Sequence, residues 1–107
     1  MKFAKTSVTS SPEIRKRLLG GELVVPVTVA VDSFTNGVCK AGTPLTSAGV
    51  KTTESPDGIL LSDVYADNPN GALVKAFAVI DATVAATHSG VTYDSTLEAK
   101  FPNIVFE

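Results

Sequence analysis

Between residues 22 and 34 the chain reads ELVVPVTVAVDSF, and no other stretch limits its folding as much. Leu23, Val25, Val27, Val29 and Val31 fall on one face of a period-two segment, while Glu22, Val24, Pro26, Thr28, Ala30 and Asp32 fall on the other. A β-strand with one buried face is the expectation. Pro26 has no N–H to give to a ladder, so the strand should lie at a sheet edge or carry a bulge there. With 107 residues, 44% of them hydrophobic and 19% charged, the chain can bury one core and is too short for two.

Turn chemistry keeps the remaining strands short. Asn36-Gly37 offers both positive-φ positions of a tight hairpin, returning the chain through Val38, Cys39 and Lys40. AGTPL and TSAG read as turn-rich connections, and Pro56-Asp57-Gly58 closes a loop before a short apolar strand over residues 59–65. Asn68-Pro69-Asn70-Gly71 then reverses the chain into residues 72–80. Val74, Ala76, Ala78 and Ile80 lie on one face there and Leu73, Phe77 and Val79 on the other, so this should be a central strand. Residues 95–100 can make one helical turn, and NIVFE a terminal strand. The fold class expected is mainly β: a small single-domain bead, barrel-like or sandwich-like, with one or two short helices and a flexible N-terminal arm.

That arm is residues 1–21, set against a β-rich domain of residues 22–107. Ser11, Pro12, Glu13, Ile14, Leu18, Leu19 and Gly20 carry the cap, first-turn and stop signals of a short helix over residues 12–19. Residues 1–11 have no period and are expected to be poorly ordered unless tied down. Charge divides at the same place. Lys2, Lys5, Arg15, Lys16 and Arg17 against Glu13 give the first twenty residues +4, leaving −6 for the remainder and −2 overall. A basic arm on an acidic body favours an anionic neighbour. Aromatic stacking partners are missing near RKR at 15–17, so an acidic protein surface suits the arm better than nucleic acid.

No reaction centre can be assembled from the residue types. His88 is the only histidine and reads as a solvated loop residue before Gly90, although Asp81 and Asp94 stand near it in sequence. Cys39 has no partner for an intrachain disulfide or a cysteine-pair metal site and reads as a small buried hydrophobe. Asp57, Asp63 and Asp67 lack calcium-loop spacing, and GGEL runs into a strand rather than a phosphate-cradling helix. No apolar run approaches the ~18 residues of a membrane span, and no apolar signal core follows Met1. The expectation is a soluble, non-secreted, non-enzymatic protein without cofactor or metal.

The series VTVAVDS, CKAGTPL, DGILLSDV, ALVKAFAVIDATV and FPNIVFE, taken in order, resembles small structural proteins of tailed phages. The pattern is above all similar to the lambda-type head decoration proteins and the head-fibre or capsid-stabilising proteins. The resemblance spans residues 23–85, with a weaker echo at residues 101–106. It implies a protein that adds to the outside of an assembled capsid and reinforces it, with the major capsid protein as partner and a homotrimer as the form. It implies neither nucleic acid nor membrane as partner. Lys2, Phe3, Lys5, Val8, Arg15, Lys16 and Arg17 are then the expected capsid-binding residues. The small side chains Ala72, Ala76 and Ala78 along one side of the 72–80 strand are the expected subunit contact.

Overall fold

The computed structural model describes residues 13–17 and 20–107, with Arg17 described by its backbone alone. In chain order it forms β1 (Arg15–Arg17), β2 (Leu23–Thr28), a 3-10 turn (Val31–Ser33), β3 (Val38–Cys39), β4 (Pro44–Leu45), β5 (Gly58–Leu60) and β6 (Val64–Tyr65). Next come β7 (Asn70–Ala76), β8 (Ala78–Ile80), helix α1 (Ala82–Ser89), helix α2 (Ser95–Glu98) and β9 (Ile104–Phe106). The strands make three separate sheets, ordered β2-β7-β5-β4, β1-β8-β9 and β3-β6. The domain is mainly β and small, as expected, but among the described residues its sheets do not close into a barrel.

The four-stranded sheet organises the molecule because its inner strands are buried on both faces. Ile59 of β5 and Val74 of β7 point into one apolar cluster, with Ile14, Ala78, Ile80, Ala85, Leu97, Phe101 and Ile104. Their neighbours Leu60 and Leu73 point into a second, with Val27, Val29, Cys39, Leu45 and Val64. Successive strand residues alternate faces, so two adjacent apolar residues serve two cores. β2 is the edge strand that Pro26 requires, pairing antiparallel with β7 so that Pro26 stands opposite Ala72. Its inward face holds at Val27 and Val29 and fades at both ends, Leu23 and Val31 being exposed.

The Asn36-Gly37 turn forms with both residues at positive φ, bridging Thr35 to Val38. The terminal strand and the single turn of α2 also stand where the sequence puts them. Four expectations are corrected.

The helix over residues 12–19 does not form at the described positions: Arg15–Arg17 are a strand pairing antiparallel with β8. A two-turn helix is marginal by itself, whereas a strand here inserts Ile14 fully into the core and lets its carbonyl accept from Asp81 N at 2.7 Å. Glu13 to Arg17, expected within the arm, thus belong to the folded body. Of the rest of the arm, residues 1–12, 18 and 19 lie outside the described residues.

The strand expected over residues 72–80 is broken at Phe77, which adopts φ 62°. The break moves the chain from one sheet into another, so β7 and β8 serve different layers. The strand expected over residues 59–65 divides in the same way, with β5 in the large sheet and β6 in the small one.

Helix α1 is the fourth change, since it takes up residues the strand periodicity leaves unassigned. Asp81 Oδ1 accepts from Val84 N at 3.1 Å at its start, and Gly90 ends it at φ 78°. His88 is consequently a helical residue rather than a loop one.

Candidate interaction surface

β1 lies at the edge of its sheet, and its basic residues answer to local partners. Arg15 donates from Nε (3.1 Å) and a terminal guanidinium nitrogen (2.7 Å) to the two oxygens of Glu13. The Arg15 side chain holds the Glu13 carboxyl below the usual glutamate range, and Glu13 raises that of Arg15. A lowered carboxylate pKa adds stability above the ordinary glutamate range and loses it as the pH falls. Glu13 is 47% exposed, so this contribution is small. Lys16 Nζ stands 3.7 Å from Asp81 Oδ2, the residue that also caps α1. Part of the positive charge read from RKR is therefore spent inside the chain. Lys2, Phe3, Lys5 and Val8 lie outside the described residues, as does the side chain of Arg17.

The alanine face is not a surface. Ala76 is 6% and Ala78 1% exposed, both buried within the chain, and Ala72 is half-buried opposite Pro26. The residue they flank behaves in the opposite way. Phe77, expected in the core, is 57% exposed, and its N–H donates to Asn103 O at 2.7 Å. A bulky residue at positive φ costs about 1–2 kcal/mol, so the sheet-to-sheet joint here holds an aromatic ring outward against a local preference. Only Lys75, a charged residue on the face of Leu73, Phe77 and Val79, hints at the joint. Phe77→Gly should leave the protein about 1 kcal/mol more stable than Phe77→Ala, because the two lose nearly the same side chain and only glycine accepts that φ freely. Denaturant midpoints would measure it, and equal stability would mean that the joint relaxes when the ring is removed.

The residues that the sequence offers for acid–base chemistry are engaged in the fold. His88 Nε2 lies 2.7 Å from Asp63 Oδ1, which also accepts from Ala41 N at 2.8 Å, tying α1 to two loops. Asp81 and Asp94, the carboxylates near His88 in sequence, cap α1 and α2 instead. Among the described residues no hydroxyl or thiol is hydrogen-bonded to the His88 ring, and no three potential metal ligands cluster. Burial raises the thiol pKa of Cys39, in keeping with its place in the second core. Tyr93, whose hydroxyl pKa burial also raises, donates to Gly42 O and closes the loop after α1 against the AGTPL turn. No described helix is long and apolar enough to cross a membrane.

No family model matches the chain, and neither does any curated protein or solved structure.

Proposed function

We propose that this chain is a structural protein of a tailed-phage virion that binds the outer surface of the assembled capsid and stabilises it, as a decoration or head-fibre base protein. The ordered series of segments from VTVAVDS to FPNIVFE carries the reading. Two features of the fold support it. β1 is an edge strand at the end of a segment rich in basic residues, and an edge can accept or continue strand pairing with a partner. The polar groups that a reaction would need are engaged in capping and in ties between loops.

In this reading the protein is not an enzyme. It acts on the outer capsid face, its partner is the major capsid protein, and it assembles as a homotrimer. Lys2, Phe3, Lys5 and Val8 remain the proposed contacts, together with Arg15, Lys16 and Arg17; the pairs of Arg15 with Glu13 and of Lys16 with Asp81 can be exchanged for acidic groups on the shell. The subunit contact falls to surface other than the buried alanines. The alternatives are another virion component, such as a capsid subdomain or a neck or tail protein, and a β-domain that binds a carbohydrate.

Capsids assembled without the protein should carry it to the pellet on co-sedimentation, saturating at one copy number per capsid. Occupancy should fall as salt rises, because exposed charges are screened beyond a Debye length of about 8 Å at physiological ionic strength. Failure to co-sediment at low salt would sink the reading, and salt-independent binding would remove the basic residues from the contact.

A further inference from the structure

A cavity of about 320 Å³ opens on a part of the molecule that includes no residue of β1. It is lined by the 3-10 turn and the Asn36-Gly37 hairpin on one side, by β3 and Lys40 on another, and by Thr43, Lys51 and Ser89. Its volume lies at the small end of the range for ligand pockets, about 300–1,000 Å³, and suits one sugar ring with a charged substituent.

The wall is fixed by its own hydrogen bonds. Ser33, buried, donates from Oγ to Gly49 O and accepts from Lys51 N, both at 2.9 Å, which locks the turn to the loop carrying Lys51. Thr43 Oγ1 donates to Lys40 O at 2.7 Å, and Ser89 Oγ to Ala85 O at 2.6 Å. A wall ordered before binding loses little entropy when a ligand arrives.

Its charge is opposite to that of the body around it. Lys40 and Lys51 are the charged residues of the lining, and no described lining residue is a carboxylate. Neither ammonium group has an ion pair among the described residues, although residues 21–107 carry a net −6. Asp63, which acts on the Cys39 thiol, is held by His88 and the Ala41 N–H. The buried thiol stays protonated and adds no negative charge to the wall. Two unpaired cations over a neutral wall favour an anion.

The neutral groups narrow the choice. The side chains of Thr35 and Asn36 line the cavity without a hydrogen-bond partner in the described chain, leaving a hydroxyl and an amide to meet ligand hydroxyls. No aromatic ring is among the described lining residues, so there is no platform on which a nucleobase would stack.

We propose that this cavity binds a single acidic sugar unit, its carboxylate or phosphate held between Lys40 and Lys51 and its hydroxyls by Thr35 and Asn36. The site lies apart from β1 and does not depend on the capsid reading. The test is an amide-resolved NMR titration of the full chain with N-acetylneuraminate and with glucose 6-phosphate, using inorganic phosphate and glucose as separate arms. Saturable shifts at residues 35, 36, 40 and 51 are expected, with dissociation constants of about 1 mM or tighter for at least one of the two acidic sugars. The Lys40→Ala, Lys51→Ala double variant should weaken binding by about tenfold or more, and Lys100→Ala, on the exposed turn after α2, should leave it unchanged. Which acidic sugar binds more tightly distinguishes carboxylate from phosphate as the anionic group. An absence of saturable shifts, or binding undiminished in the double variant, would overturn the proposal. So would equal affinity for inorganic phosphate, since Thr35 and Asn36 would then contribute nothing, or equal affinity for glucose, since the lysines would contribute nothing.

Discussion

Gly49→Ala should cost the protein about 4 kcal/mol or more, the largest loss expected from any single methyl group added to it. Gly49 is buried at φ 81°, and a Cβ built on it would stand 2.0 Å from the carbonyl oxygen of Thr28 and 2.8 Å from Val29 Cα. Both are backbone atoms, so no side chain can swing aside. The carbonyl of Gly49 accepts from Ala30 N at 3.0 Å and from Ser33 Oγ at 2.9 Å. Any shift that relieves the clash therefore pulls on the end of β2 and on the 3-10 turn together. Gly90→Ala is the control: φ is 78° and a Cβ there meets nothing within 4 Å, so only the backbone strain of about 1 kcal/mol should appear. Urea titrations of the two variants separate conformational strain from steric overlap. A loss at Gly49 no greater than at Gly90 would show that the segment at residues 46–50 yields at little cost.

Ile14→Ala should cost about 2–5 kcal/mol. Ile14 is wholly buried in the cluster shared by α1, α2 and the three-stranded sheet, and its truncation leaves a void bounded by several elements that cannot all close on it. Leu23→Ala provides the comparison, because that side chain is exposed at the edge of the large sheet and should cost under about 1 kcal/mol. The outcome bears on function as well as on stability. If Ile14 behaves as a core residue, residues 13–17 belong to the folded body, and the proposed contacts Arg15 and Lys16 are presented from a fixed strand. A loss below about 1 kcal/mol would instead return residues 13–17 to the arm.

The candidate surface is less legible in sequence than the fold, and particular residues show why. RKR announces positive charge, but charge is counted along the chain while its partners are set in space, and only the fold brings Asp81 within reach of Lys16. Cys39 reads as a buried hydrophobe and lies in the second core, because a small apolar residue in a β-rich neighbourhood has few other uses. His88 is the residue that sequence misplaces. The cues for α1 are there in Asp81 and Gly90, but ATVAATHS has almost no apolar stripe, so its periodicity does not announce a helix. The cavity over Lys40 and Lys51 has no signature at all, since its lining comes from segments spread over more than fifty residues.

By itself the sequence determined what neighbouring residues can decide between them. The period of two set the inward face of β2, Pro26 limited that strand to an edge or a bulge, and Asn36-Gly37 set the hairpin. Apolar residues on both faces of residues 72–80 called for a central strand, which holds as far as Ala76. Each is a local steric or hydrogen-bonding constraint that holds wherever the rest of the chain goes. Tertiary structure decided the cases in which local preferences were weak or opposed. Ile14 could have served a short helix or a strand, and the gain from burying it beside β8 outweighs two marginal helical turns. Phe77 would have continued a strand, but the chain had to leave one sheet for another there, and long-range pairing on both sides holds its backbone at positive φ.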